Sequence, residues 1–195
     1  TEIYTLSLHD ALPIWRHQMP FTPYHMGPGI LIKSILRGSF SLMVFGWAQI
    51  VMDLQPLVAI LTGEGKWHGW THTFLAALVL GAASALTGKY LSEWGLALLA
   101  WGRKPRLVIG WTVAFVSAWI GTFSHILIDG VLHREMDPLA PFVAGNPLFL
   151  ALTQAQVQKF CLICGALGTV VYFTVQLVVI LKKQTLRRVA NRKDQ

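Results

Sequence analysis

The sequence predicts an all-α integral membrane protein with about four membrane segments, the first of which is a broken hairpin near the N-terminus. Of its 195 residues, 54% are hydrophobic and only 13% are charged, a balance that is uncommon in a soluble domain. Several apolar stretches approach or exceed the length of a membrane crossing, and the clearest covers residues 160–181. A chain of this length without internal repeats is expected to form one domain.

Residues 1–18 differ in character from the rest of the chain. The stretch 1–14 reads like the translation of a common sequencing adapter, and Met19 opens a segment that suits a natural start. We therefore expect residues 1–18 to be a cloning or assembly scar and exclude them from the candidate site. Residues 19–182 are expected to form the helical membrane domain, followed by a basic cytoplasmic tail over residues 183–195.

Two short apolar stretches, residues 29–36 and 40–52, are separated by the polar sequence Arg37-Gly38-Ser39. Each stretch is too short to cross a bilayer alone, so the simplest arrangement is a re-entrant hairpin that enters the membrane and returns to the same side. Such a hairpin would bring His25 and Asp53 to one side. A single tilted helix through Gly38 is the alternative, and it would separate them.

Three longer apolar regions follow the hairpin. We expect membrane helices over residues 73–88, 107–128 and 160–181, and the small residues of the first predict close packing against its neighbours. Residues 91–101 are expected to be interfacial. A polar, proline-containing stretch, residues 133–159, is expected to form an outer loop.

Lysine and arginine residues are concentrated at the predicted hairpin tip, between residues 89 and 106, and in the tail. Because basic residues favour the cytoplasmic side, they predict a multi-pass protein of a bacterial inner membrane with a cytoplasmic C-terminus. The tail is expected to contact membrane lipid. The net charge is +7, but the basic residues form no stripe with interleaved aromatic residues, so no nucleic-acid partner is expected.

Histidine and aspartate residues are predicted to gather on the opposite, outer side. They are His25, Asp53, His68, His72, His125, Asp129 and His133. His68 and His72 are spaced i, i+4, as are His125 and Asp129, so each pair can face one ion. Neutral imidazole and carboxylate groups suit zinc or, less specifically, iron or manganese. The sequence therefore predicts a site for one or two divalent metal ions, with zinc favoured.

This order of residues resembles that of a known family, the bacterial membrane-bound metal-dependent hydrolases of the YdjM-like family. The shared features are an early histidine (His25), an aspartate after the first apolar segment (Asp53), the motif His68-Gly-x-x-His72-Thr and the motif Ser-His125-x3-Asp129. The family is similar in turn to zinc-dependent phospholipase C and single-strand nucleases. The resemblance implies a second metal position that His25 would complete, bridged to the first by Asp129.

Two stretches depart from the family pattern. The family commonly has a second carboxylate after the first aspartate, but this chain has Asp53-Leu54-Gln55-Pro56, and Gln55 is a poor metal ligand. Residues 133–138 replace a stretch that contains threonine and glycine in many members. His133 or Glu135 could supply the missing ligand.

The predicted function is metal-assisted hydrolysis of a phosphoester, such as a lipid or a lipid-linked phosphate, at the outer face of the membrane. Either His68 or His72 would hold the principal ion together with His125 and Asp129. Asp53 would be a further ligand or the catalytic general base. The rival prediction is a non-enzymatic membrane protein that binds metal for structure or transport. In a third interpretation the histidines are interfacial and bind no metal.

Overall fold

A computed structural model describes residues 22–64, 68–99 and 108–193. Within these ranges the regular secondary structure is helical, without strands, which confirms the predicted all-α class. The predicted scar, residues 1–18, lies outside the described residues. The α-helices are α1 Met26–Leu36, α2 Leu42–Met52, α3 Leu54–Thr62, α4 Phe74–Leu99, α5 Trp111–Gly130 and α6 Gln154–Lys193. Short 3-10 turns lie at Thr22–His25, Arg37–Ser39 and Trp70–His72.

In the described part of the chain, four helical segments are long and apolar enough to cross a membrane. They are Leu42–Thr62, which joins α2 and α3, then Phe74–Leu99, Trp111–Gly130 and Gln154–Leu186. Their number agrees with the sequence-based prediction. The helix α1 has only 11 residues and belongs to the hairpin.

The helices α1 and α2 form the predicted hairpin. The chain turns at Arg37–Ser39, where Arg37 has a φ of 50°. The Nζ atom of Lys33 stabilises this turn by donating hydrogen bonds of 2.6 Å to the carbonyl oxygens of Arg37 and Phe40. His25 before α1 and Asp53 after α2 both lie against the end of α5. The alternative of a single tilted helix is therefore wrong.

The helix α3 follows α2 with only Asp53 between them, and the sequence analysis did not predict it. Pro56 does not prevent this helix because it lies in the first turn, where a missing backbone N–H is tolerated. Leu57 and Leu61 of α3 are exposed apolar side chains. The junction between the two helices places the Asp53 carboxylate beside the end of α5.

The centre of the molecule is a close contact among α2, α4 and α5. Its buried side chains are mostly small: Val44, Ala48, Ala85, Ala114 and Ala118. A Cβ atom at Gly81 of α4 would lie only 2.3 Å from the Trp119 ring, which confirms the predicted close packing of this helix. The expected end of α4 at residue 88 is wrong, because the helix continues without a break to Leu99.

The last helix, α6, packs against α1 through glycines. A Cβ atom at Gly27 would lie 1.9 Å from the Cys161 carbonyl oxygen, and one at Gly168 would lie 2.5 Å from the Leu31 nitrogen. The helix begins at Gln154, so the outer loop is shorter than predicted. It also continues through Lys193, so most of the predicted tail is helical.

The order of the helices separates two ends of the bundle. Because successive long helices run in alternating directions, α1, α4 and α6 begin at the end where α2 and α5 finish. That end carries the candidate site. The hairpin tip with Lys33 and Arg37 lies at the other end. Lys182 and Lys183 lie farther out on that same side, because roughly 40 Å of helix separate them from the start of α6.

Candidate metal centre

The candidate site is built from residues at helix ends. His25 closes the turn before α1, Asp53 lies between α2 and α3, and His72 closes the turn before α4. His125 and Asp129 lie one helical turn apart in the last part of α5. The fold therefore brings most of the predicted site residues to one place.

Four of the predicted residues form one group, here named the inner cluster: Asp53, His72, His125 and Asp129. Each residue offers one ligand atom, and these atoms all lie within 4.8 Å of one another. The Nε2 atom of His125 lies 3.1 Å from Asp129 Oδ2 and 3.2 Å from Asp53 Oδ1. His72 Nε2 lies 3.7 Å from Asp129 Oδ2. Imidazole nitrogens and carboxylate oxygens so close together can surround one divalent cation.

The inner cluster is largely removed from solvent. The side chains of His72, His125 and Asp129 are at most 1% exposed, and that of Asp53 is 17% exposed. Both carboxylate oxygens of Asp129, and Nε2 of His72 and of His125, are buried and form no hydrogen bond among the described residues. Buried polar atoms are normally satisfied, and a buried carboxylate is costly without a counter-charge. A bound cation would satisfy all of these atoms together.

Gln49 fixes the orientation of His125, and the sequence analysis missed it. Its amide nitrogen faces the Gly121 carbonyl oxygen at 3.2 Å and Ser124 Oγ at 3.3 Å, so its Oε1 faces the imidazole. The distance from this oxygen to His125 Nδ1 is 2.7 Å, so Nδ1 carries a proton and donates it. In the neutral ring, Nε2 then presents a lone pair to the two aspartates. Gln49 precedes Asp53 by one helical turn, a spacing that could have identified it.

Side-chain hydrogen bonds also orient the His72 ring. The Thr71 hydroxyl donates to Gln55 Oε1 at 2.5 Å and lies 2.9 Å from His72 Nδ1, from which it can accept a hydrogen bond. Burial, with a smaller effect from the neighbouring His125 imidazole, lowers the pKa of His72 to about 3, so the ring is neutral. Gln55, which the sequence analysis judged a poor metal ligand, thus supports a candidate ligand through Thr71.

His25 stands beside the inner cluster on the other oxygen of Asp129. Its Nε2 lies 3.4 Å from Asp129 Oδ1, whereas His72 and His125 face Oδ2. Its ring packs edge-on against His125, with centroids 4.8 Å apart. Asp129 therefore faces His25 with one carboxylate oxygen and the histidines of the inner cluster with the other, which is the position that a bridging carboxylate requires.

His68 does not join the inner cluster. It belongs to a second group with His133 and Glu135, here named the outer cluster. The two rings are stacked with centroids 3.9 Å apart, and Glu135 Oε1 lies 3.1 Å from His68 Nδ1 and 3.3 Å from His133 Nδ1. Burial and the His133 ring lower the pKa of His68. Of the two predicted alternatives, His72 is thus the one placed with His125 and Asp129.

A cavity of about 170 Å³ lies beside the site. Its lining includes His25, Asp129, His133 and the start of α6. A second cavity, of about 500 Å³, runs from His68 along α4 past Leu75 and Val79. Both cavities therefore lie at the site end of the bundle.

Fold and site together define an all-helical chain with four segments able to cross a membrane and a buried His/Asp cluster within metal-binding distance. No protein-family model, curated protein or solved structure matches the chain. The resemblance to the YdjM-like hydrolases therefore stays a prediction from the sequence motifs.

Proposed function

We propose that the protein is a membrane-bound, metal-dependent hydrolase that acts on a phosphoester at the outer face of a bacterial inner membrane. The observation that carries this proposal is the convergence of the buried, unsatisfied imidazole nitrogens of His72 and His125 and carboxylate oxygens of Asp129 in the inner cluster. Such a group is costly as a purely structural feature and is typical of a metal site that retains a function.

The residues suited to hold the principal ion are His72, His125 and Asp129, and zinc is the ion that this donor set favours. A divalent cation held there would supply Lewis-acid activation of water and of the substrate oxygen. Three protein ligands leave a position open for that chemistry. His25 would hold a further ion against the free side of Asp129.

Asp53 is the residue suited to accept a proton. It is the most exposed member of the inner cluster, and its Oδ1 lies close to the His125 imidazole. A carboxylate in this position can take the proton of an attacking water and then pass it to the leaving group. Asp53 would thus act as general base while the other three residues hold the ion.

The surroundings of the site support an amphiphilic substrate. The cavity along α4 joins His68 to Leu75 and Val79, two exposed apolar side chains on a helix that is able to cross a membrane. A phosphate group at the clusters would therefore have an apolar surface beside it for an acyl or prenyl chain. This arrangement favours a lipid phosphoester over a soluble one.

The test is hydrolysis by detergent-purified protein loaded with zinc or manganese, using phosphomonoester and phosphodiester lipids in micelles. We expect turnover of at least one lipid, and loss of both bound metal and turnover in His125→Ala. If the metal-loaded protein hydrolyses none of them while His125→Ala still disturbs metal binding, the hydrolase proposal fails.

One observation favours a second candidate function, a structural metal site. If Asp53 is a ligand, the inner cluster supplies four protein ligands, the closed set that structural zinc sites use. Metal removal should then lower the thermal stability of the protein, and no lipid should be hydrolysed. The Asp53→Asn variant described in the Discussion separates the two candidates.

The orientation in the membrane is part of the proposal. Basic residues at the hairpin tip and in the last part of α6 support a cytoplasmic C-terminus, with the metal site outside. Reporter fusions at Gln195 and Ala144 should then give opposite readouts. A cytoplasmic signal from Ala144 would place the site on the wrong side for this proposal.

A further inference from the structure

The outer cluster contains two imidazoles, and each has an acceptor nitrogen that receives no hydrogen bond from the described residues. A neutral imidazole has one donor nitrogen and one acceptor nitrogen. In His68 and in His133, Nδ1 faces the Glu135 carboxylate, which only accepts, and Nε2 is buried without a partner. Whichever nitrogen carries the proton, each ring keeps an acceptor nitrogen that no described group satisfies.

Stacking of the two rings places their unsatisfied acceptor nitrogens close together. The two rings lie 3.9 Å apart at an interplanar angle of 30°, so two unsatisfied acceptors and one carboxylate are held next to one another. The His68 side chain is only 1% exposed, so water does not solvate it freely. A cation bound by both imidazoles and the carboxylate would satisfy the acceptor nitrogen of each ring together with the carboxylate charge.

The backbone holds these ligands in place. His133 N–H donates to the Asp129 carbonyl oxygen at 2.9 Å, and the Asn146 side-chain amide donates to the His133 carbonyl oxygen at 2.7 Å. Met136, next to Glu135, is fully buried against the ends of α2, α4 and α5. The turn that carries His133 and Glu135 is thus anchored before any ligand binds, as a metal site requires.

We infer that His68, His133 and Glu135 form a second metal site, which binds a divalent cation such as zinc separately from the inner cluster. Two nitrogens and one oxygen suit a cation of this borderline class. Glu135 is 63% exposed, so the remaining coordination positions face solvent and the ion can exchange. The inference concerns binding alone and does not depend on hydrolysis at the inner cluster.

The second ion would lie next to the first. The His68 and His72 ring centroids are 5.0 Å apart, and the cavity beside Asp129 is also lined by His133. A phosphoester that enters this cavity would therefore meet both positions. Two neighbouring cations can share the charge of one phosphate group.

The experiment counts bound zinc in the full chain, purified in detergent, stripped with a chelator and titrated against a chromogenic competitor. We expect His133→Ala to bind about one ion fewer than the wild-type protein. His125→Ala should lose the inner ion and keep the outer one. Arg134→Ala is the matched control, because its side chain is an exposed neighbour, and it should bind as many ions as the wild type.

For His133→Ala, either of two results would overturn the inference: an unchanged ion count, or loss of the same single ion that His125→Ala loses. If His133→Ala does not fold, as judged by helical circular dichroism and size exclusion, Glu135→Gln replaces it. This exposed substitution should weaken the outer ion by about 10-fold or more without affecting packing. An unchanged affinity of Glu135→Gln for the outer ion would also overturn the inference. Retention of the outer ion in a protein that hydrolyses no lipid would leave this inference standing while the hydrolase proposal fails.

Discussion

The inner and outer clusters contain the same kinds of side chain in opposite settings. Every member of the inner cluster lies on a helix or directly beside a helix end, and three of its four side chains are at most 1% exposed. The outer cluster depends on a turn, and its carboxylate is 63% exposed. Because charges interact more strongly away from water, the inner cluster should hold an ion firmly and the outer cluster should release one more readily.

The two clusters also differ in what supports their ligands. In the inner cluster, side-chain hydrogen bonds orient the imidazoles: Gln49 holds His125, and Thr71 with Gln55 holds His72. In the outer cluster, the support comes from backbone bonds and from the Asn146 amide. Single side-chain substitutions should therefore affect the inner cluster more than the outer one.

The largest effect is expected from Asp129→Asn. Asp129 faces His25, His72 and His125, and an amide cannot supply the negative charge that balances a cation there. We expect loss of the inner ion and a fall in hydrolysis of at least about 10³-fold, measured by metal analysis and lipid turnover. Glu64→Gln, on an exposed residue outside both clusters, is the control. Full zinc content in Asp129→Asn would contradict the assignment of Asp129 as a ligand.

The next largest effect is expected from Asp53→Asn, which tests whether Asp53 is a metal ligand or the general base. Asparagine keeps the shape of the side chain and a weakly coordinating oxygen, but it cannot accept a proton. If Asp53 is the general base, Asp53→Asn should lower kcat by about 10²- to 10⁴-fold with most of the metal retained. Glu64→Gln, on an exposed residue, is the control. Loss of the metal as complete as in His125→Ala would instead make Asp53 a fourth ligand and favour the structural site.

A smaller effect is expected from Gln49→Leu. Leucine fills similar space but does not accept the Nδ1 proton of His125, so the imidazole loses the group that fixes its orientation. The inner ion should bind about 10- to 100-fold more weakly, while the outer ion is unaffected. Competition titration measures both affinities, and Gln176→Leu on α6 is the control. Equal weakening at the two clusters would mean that Gln49 acts on the fold as a whole.

The sequence was sufficient to predict the helical class, the hairpin and the closeness of most of the candidate site residues. Apolar stretches and the Arg37-Gly38-Ser39 break identified the hairpin because its length and its polar tip are local properties. The i, i+4 spacing likewise identified His125 and Asp129 as one face of a helix.

What the sequence did not predict depends on contacts between distant residues. The choice of His72 over His68 for the inner cluster depends on how the turn before α4 meets α5, and no local spacing specifies that. The helix α3 was missed because the apolar stretch was taken to end at Asp53 and a proline, Pro56, follows it, although a proline is tolerated in a first turn. Gln55 was judged only as a ligand, and its bond to Thr71 appears only in the folded chain.

The smallest effect should come from Thr71→Val, which tests whether the support of His72 matters as much as that of His125. Valine matches threonine in shape but removes the hydroxyl that links His72 Nδ1 to Gln55. The His72 ring is also held by burial on all sides, so the inner ion should bind only about 10-fold more weakly, the lower end of the usual range. Thr169→Val, on the exposed face of α6, makes the same chemical change away from the site and should alter nothing. If Thr71→Val weakens the ion as much as Gln49→Leu does, the two imidazoles depend equally on their hydrogen bonds and burial contributes little to holding His72.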